Sequence, residues 1–352
     1  MTVLENINTT DAQTHVDTLN PIAQKPANEV FNTSSPFFAA MQTKIFQSTE
    51  HTPPVTTFDF GEDDLTRLIL WAASAGLPQD MFGAKMKRAM YIFGPSGCGK
   101  TMLAEAFAAR TGRSVFSLQC SEETTVSDMF GSWKLCGPDG MKWIYGKVCQ
   151  WARQPNSILL LDEFDQLHPQ VQMGLNGILD GKPIVLDQTG ERITIAPGCL
   201  IIATGNTNGR GSAGGNGGSA AIYKGTKKMN FASMDRFNVM YVTYMDQSRE
   251  AKLLETEAKV PAVMATAMTT LAAKIRANFI GLNEDAGSGG MAFQFTITTR
   301  NVLNWGMNFK LLVMMRKTPE EAAILALRTT VLDFAPKDEA DAILSTWSTI
   351  VG

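Results

Sequence analysis

"YIFGPSGCGKTMLAEAF" occupies residues 91–107. An apolar run meets a glycine-rich loop, and the loop opens into residues with helical spacing. Gly94, Pro95, Ser96, Gly97, Cys98, Gly99, Lys100 and Thr101 fit G-x-x-x-x-G-K-[ST] at every fixed position. Glycines let the backbone wrap close to phosphate and take up φ angles that other residues avoid. The N–H groups then point inward, and the following helix, through Met102, adds its positive end. Lys100 neutralises β and γ oxygens, and Thr101 offers a hydroxyl to Mg²⁺. The stretch therefore predicts a strand, a phosphate loop and a helix that together hold ATP and Mg²⁺.

Hydrolysis needs more than a loop, and the rest of the chain is informative. "ILLLDEFD" (158–165) ends a four-residue apolar run with Asp162 and Glu163. A buried strand delivers its last carboxylates to the sheet edge where ligands bind. Asp162 is the expected Mg²⁺ holder, and Glu163 the group that orients and deprotonates water. "LIIATGN" (200–206) brings Asn206 to the end of another apolar run, where an amide positions water or simply caps a turn. "ASMDRF" (232–237) carries Arg236 just before a further strand. "TITTRNVLNW" (296–305) puts Arg300 in the first turn of a helix. A cation is unfavourable there, so an anionic partner is expected, with a plain salt bridge equally compatible.

Strand runs "RAMYIF", "SVFSLQC", "SILLLDEF" and "GCLIIATGN" alternate with helical spacing from about residue 56 to 246. That pattern predicts an α/β domain with a parallel sheet covered on both faces. From about 247 to 352 the spacing is helical throughout, which predicts a smaller all-α domain. Residues 1–55 are rich in Thr, Asn, Gln, Ser and Pro, and read as a flexible arm with one short helix at "SPFFAAMQTKIF".

The net charge of -3 gives no general basic bias towards nucleic acid. The five cysteines show no paired CxxC spacing, which argues against zinc. Three scattered histidines form no ligand cluster. No apolar run nears the roughly 20 residues of a membrane span. The opening residues lack a signal-peptide pattern, and reduced thiols in the cytoplasm are expected.

These motifs together resemble the AAA+ ATPases, specifically the MoxR/CobS branch with its insert in helix 2, and most nearly the cobaltochelatase CobS-type ATPase subunit. The resemblance rests on "DEFD" (162–165), "VLDQ" (185–188), "IIATGNTNG" (201–209), "YKGTKKMNFASMDRF" (223–237) and "TTRNVLNW" (298–305), in that order. It implies a three-layer αβα P-loop domain followed by a helical lid. It implies that Asn206 is sensor 1, that Arg300 is sensor 2 and that Arg236 is an arginine finger offered to a neighbour. It implies a homo-oligomeric ring, usually a hexamer, that works on a partner with a von Willebrand A-type domain.

Residues 126–145 match the family's insert, and "GPDG" (137–140) marks a turn between two short strands. The resemblance points this hairpin at the ring pore or a partner, with Trp133, Lys134, Lys142 and Trp143 as contacts. Cross-strand packing of the tryptophans is the alternative. The longer Gly-rich run "GRGSAGGNGGSAA" (209–221) departs from the family. A nucleic-acid motor, or a ring that binds ATP without turnover, are the competing readings.

Overall fold

A computed structural model describes residues 20–75, 87–209, 226–279 and 293–352. Strand β1 (Ala23–Pro26) leads into helix α1 (Ala27–Phe31), and β2 (Gln42–Ile45) returns antiparallel to β1. Helix α2 (Glu62–Ala75) and strand β3 (Ala89–Phe93) follow, then helix α3 (Lys100–Thr111) and β4 (Val115–Gln119). An antiparallel hairpin, β5 (Gly131–Leu135) with β6 (Met141–Tyr145), precedes β7 (Ile158–Asp162). A second small hairpin joins β8 (Ile184–Leu186) to β9 (Glu191–Ile193), before β10 (Leu200–Gly205) and β11 (Phe237–Tyr241).

Five of these strands form one parallel sheet in the order β11-β3-β10-β7-β4. The strands rise from the predicted apolar runs. In β7, Ile158, Leu159, Leu160 and Leu161 are all buried, each worth at most about 1.5–3 kcal/mol. Such residues suit a strand covered on both faces. Because the strands run parallel, their last residues share one edge. In register, Gln119 of β4 faces Asp162 of β7.

By its contacts the chain divides into two compact units. The first comprises the described residues of Met1–Phe93, Lys100–Gly209 and Thr226–Tyr241. The second comprises Gly94–Gly99 and the described residues of Val242–Gly352. The second is helical: α4 (Gln247–Glu257), α5 (Ala262–Ala277), α6 (Thr299–Met314), α7 (Pro319–Thr330) and α8 (Lys337–Val351). Its core contains Trp305 and Trp347, edge to face at 5.0 Å, and the Trp305 indole N–H donates to the Ala323 carbonyl.

The flexible arm expected over 1–55 does not describe residues 20–55. Phe31 of α1 stacks on Phe107 of α3 at 5.7 Å, and Phe38 and Phe46 are buried. The Phe46 N–H donates to the Thr111 carbonyl at 2.9 Å. The apolar residues are too sparse for a visible period, yet Ala27, Phe31, Phe38 and Phe46 land in the core while Ile22, Phe37 and Val55 stay exposed. The helix expected at 35–46 is one 3₁₀ turn (Pro36–Ala39) followed by β2. Residues 1–19 and most of the Gly-rich run lie outside the described residues.

Candidate active site

In the first unit, α3 and the ends of β7 and β10 bring five predicted residues together. Lys100, the first residue of α3, is nearly buried, and its Nζ donates to Asn206 Oδ1 at 3.0 Å. Thr101 Oγ1 donates to Asp162, 3.0 Å from Oδ1 and 3.2 Å from Oδ2. Thr204 Oγ1 also donates to Asp162 and accepts the Glu163 N–H at 3.1 Å. One hydroxyl therefore ties both acidic residues to the neighbouring strand.

Glu163 has a left-handed backbone, φ 57°, which is uncommon and costs energy in a residue with a Cβ. Its Oε2 accepts from Gln119 Nε2 at 2.8 Å and from Gln166 Nε2 at 2.9 Å. Asp165 sits beneath, fully buried. Its Oδ2 accepts from the N–H groups of Asn206 and Thr207 and from Thr207 Oγ1, at 2.9–3.0 Å. Burial raises the Asp165 pKa, opposed by the Thr207 and Asn206 hydrogen bonds and by Lys100. Tyr91 Oη donates to the Thr207 carbonyl at 2.7 Å. Burial and then the Asp165 charge hold this phenol well above its ordinary range. Asp165 and Tyr91 thus fix the turn that presents Asn206. Burial and the nearby Asp162 charge raise Glu105, on α3.

The phosphate loop belongs to the second unit. A Cβ on Gly94 would meet the Val242 carbonyl oxygen at 1.8 Å. One on Gly97, at φ 69°, would meet the Thr298 side chain at 2.7 Å. Tyr244 Oη donates to the Ser96 carbonyl at 2.9 Å, and Cys98 Sγ to the Val242 carbonyl at 3.8 Å. Thr298 is the N-cap of α6, in a reciprocal box with Asn301. Arg300 therefore lies two residues beyond the contact with Gly97. Arg300 is exposed and makes no hydrogen bond or ion pair among the described residues, so the protein anion expected for it is not found there. Pro95 lies within the same loop, and the Met102 side chain is exposed.

Arg236 is not brought to this group. Its Nε donates to Asp180 Oδ1 at 2.8 Å, and its Nη1 to the Ala232 carbonyl. It immediately precedes β11, at the opposite edge of the sheet from Asp162. In the insert hairpin Trp133 faces Trp143 in register, edge to face at 5.7 Å. Cross-strand packing is thus present, while Trp133 stays largely exposed.

The donors suit the ligands. Thr101 and Asp162 present the hard oxygens that Mg²⁺ requires, beside the Lys100 cation. Sequence reading missed Gln119, Gln166 and Tyr244. Gln119 carried a signal, since "SVFSLQC" ends in a polar residue at the edge where "ILLLD" ends.

Residues 89–224 match the profile of the AAA domain, dynein-related subfamily. The chain is 27% identical to protein NorQ of Paracoccus denitrificans over 216 residues, 61% of this chain and 73% of NorQ. It is 25% identical to the denitrification regulatory protein NirQ of Stutzerimonas stutzeri, over 53% of this chain and 62% of that protein. It is 28% identical to the aerobic cobaltochelatase subunit CobS of a Sinorhizobium species, over 50% of this chain and 53% of CobS. The chain thus spans less than two thirds of NirQ and CobS. Among the described residues no helix is long and apolar enough to cross a membrane. With its phosphate loop and its Asp162–Glu163 pair, the stretch 89–224 is an AAA domain, and its likeness to NorQ, NirQ and CobS supports the MoxR/CobS branch of AAA+ ATPases.

Proposed function

We propose that this chain hydrolyses Mg-ATP as a homo-oligomeric ring and uses the energy to remodel a protein partner. The observation that carries the reading is the Lys100–Asn206 contact at 3.0 Å, formed next to the Thr101–Asp162 pair. A phosphate-binding cation, a water-positioning amide and a metal-holding pair converge there. Thr101 and Asp162 would hold Mg²⁺, which neutralises phosphate charge when bound. Glu163 takes the proton from the attacking water. Its carboxylate must first give up a hydrogen bond from Gln119 or Gln166. Arg300, two residues beyond the residue that packs on Gly97, senses the γ-phosphate of its own subunit.

Arg236 acts in trans. A five-residue strand at about 3.3 Å per residue puts it roughly 16 Å from the edge that holds Asp162, beyond a side chain's reach. A neighbour's ATP is the partner it fits, and Asp180 holds it until assembly. Names such as denitrification regulatory protein and cobaltochelatase subunit suit ATPases that act on another polypeptide. A protein with a von Willebrand A-type domain is the partner proposed here, and a chelatase motor is its narrowest form.

The test is steady-state ATP hydrolysis across protein concentration. It is run alone, with single-stranded and duplex DNA, and with von Willebrand A-domain proteins, using Glu163→Gln as control. A rate per subunit that climbs with concentration and responds only to a protein supports the ring. Stimulation by DNA replaces this reading with a nucleic-acid motor, and absence of hydrolysis leaves a nucleotide-bound scaffold.

A further inference from the structure

A cavity of about 360 Å³ lies in the first unit, at the starts of the central strands rather than at their ends. That volume falls within the range of small-molecule sites. Much of its lining is apolar, with Phe46, Ile69, Ala72, Phe107 and Leu200 contributing. Arg113 and Thr43 also line it, and each is only 7% exposed. Arg113 Nη1 donates to the carbonyls of Asn156 at 3.2 Å and Gly198 at 2.9 Å, and its guanidinium lies over the Phe46 ring at 4.5 Å.

Two features here are anomalous. Buried charges are ordinarily paired with an opposite charge, yet among the described residues no carboxylate pairs with Arg113. Burial lowers Arg113 to about 10, so it remains a cation at neutral pH. Buried hydroxyls are ordinarily hydrogen-bonded, yet Thr43 Oγ1 has no partner among the described residues. Lys44, exposed and also on the lining, adds a second cation.

We propose that this cavity binds a small amphipathic carboxylate, with its anionic head against Arg113 and its apolar body among Phe46, Ile69, Ala72 and Phe107. Such a ligand supplies the anion that the buried Arg113 lacks among the described residues. The site is separate from the ATP site, so it can be tested independently of hydrolysis.

The experiment is isothermal titration of the full chain with octanoate, and with 1-octanol and acetate as controls. Saturable binding of one octanoate per chain is expected, at least tenfold tighter than either control. Ala72→Trp fills the cavity from a half-exposed helix position and should abolish binding while the thermal melt is kept. Arg113→Met should reduce octanoate affinity to that of octanol. If that variant does not fold, the octanol and Ala72→Trp arms decide alone. Equal binding of octanol and octanoate would overturn the anion assignment. Unchanged binding in Ala72→Trp, or no saturable octanoate binding at millimolar concentration, would overturn the site.

Discussion

The two edges of the central sheet handle polar groups in opposite ways. At the strand ends, Lys100, Thr101, Asp162, Glu163, Thr204 and Asn206 satisfy one another within a single constellation. At the strand starts, Arg113 is buried with no carboxylate partner among the described residues, and Arg236 is held by Asp180 and the Ala232 carbonyl. On the function proposed above, the first edge holds groups that exchange partners when substrate arrives, and the second holds cations whose proposed partners are a neighbour's nucleotide and a bound carboxylate. Changes at the first edge should therefore alter a subunit's own chemistry. Changes at the second should alter what comes to it from elsewhere.

The strongest test concerns Arg236. Arg236→Ala should leave assembly intact but cut hydrolysis by about 10³-fold, as arginine fingers do. Mixing it with Lys100→Ala subunits should restore activity at interfaces joining two intact halves. No recovery in well-mixed rings would place Arg236 with the structural ion pairs. Next, Glu163→Gln should keep nucleotide affinity while turnover falls by about 10²-fold or more. Near-normal turnover would move the base elsewhere. Gln119→Ala should raise basal hydrolysis, by up to about tenfold, because one restraint on the Glu163 carboxylate is gone. An unchanged rate would show that the glutamine only packs. The smallest effect is expected from Asp180→Asn. Its pair with Arg236 is about one-third exposed, so assembled hydrolysis should stay within about twofold of wild type. A large loss would mean that Asp180 itself works at the subunit boundary.

Legibility followed the same division. Gly94 to Thr101 and Asp162–Glu163 could be singled out directly as candidates, because phosphate and Mg²⁺ chemistry calls for residue types at fixed spacing along one chain segment. The strands could be read because each is a short apolar run between turns. Residues 20–46 could not, since Phe31, Phe38 and Phe46 enter the core from a polar, aperiodic stretch. The grip of Gln119 and Gln166 on Glu163 was also hidden. It joins the ends of different elements, and a glutamine carries no spacing rule.

The sequence alone determined the parallel α/β domain, the helical region after it, the glycine-rich loop of the phosphate-binding pattern and the two carboxylates that follow. Each depends on local periodicity or on adjacent residues, which folding cannot rearrange. Only the tertiary structure decided that Thr204 bridges Asp162 to Glu163 and that Asp165 and Tyr91 fix the turn carrying Asn206. It also decided that Tyr244 and Thr298 meet the phosphate loop and that Arg113 lies buried beside a cavity. These are meetings between residues far apart in the chain. Sheet register, strand order and helix placement set them, and those follow from the sum of packing across the core rather than from any one segment.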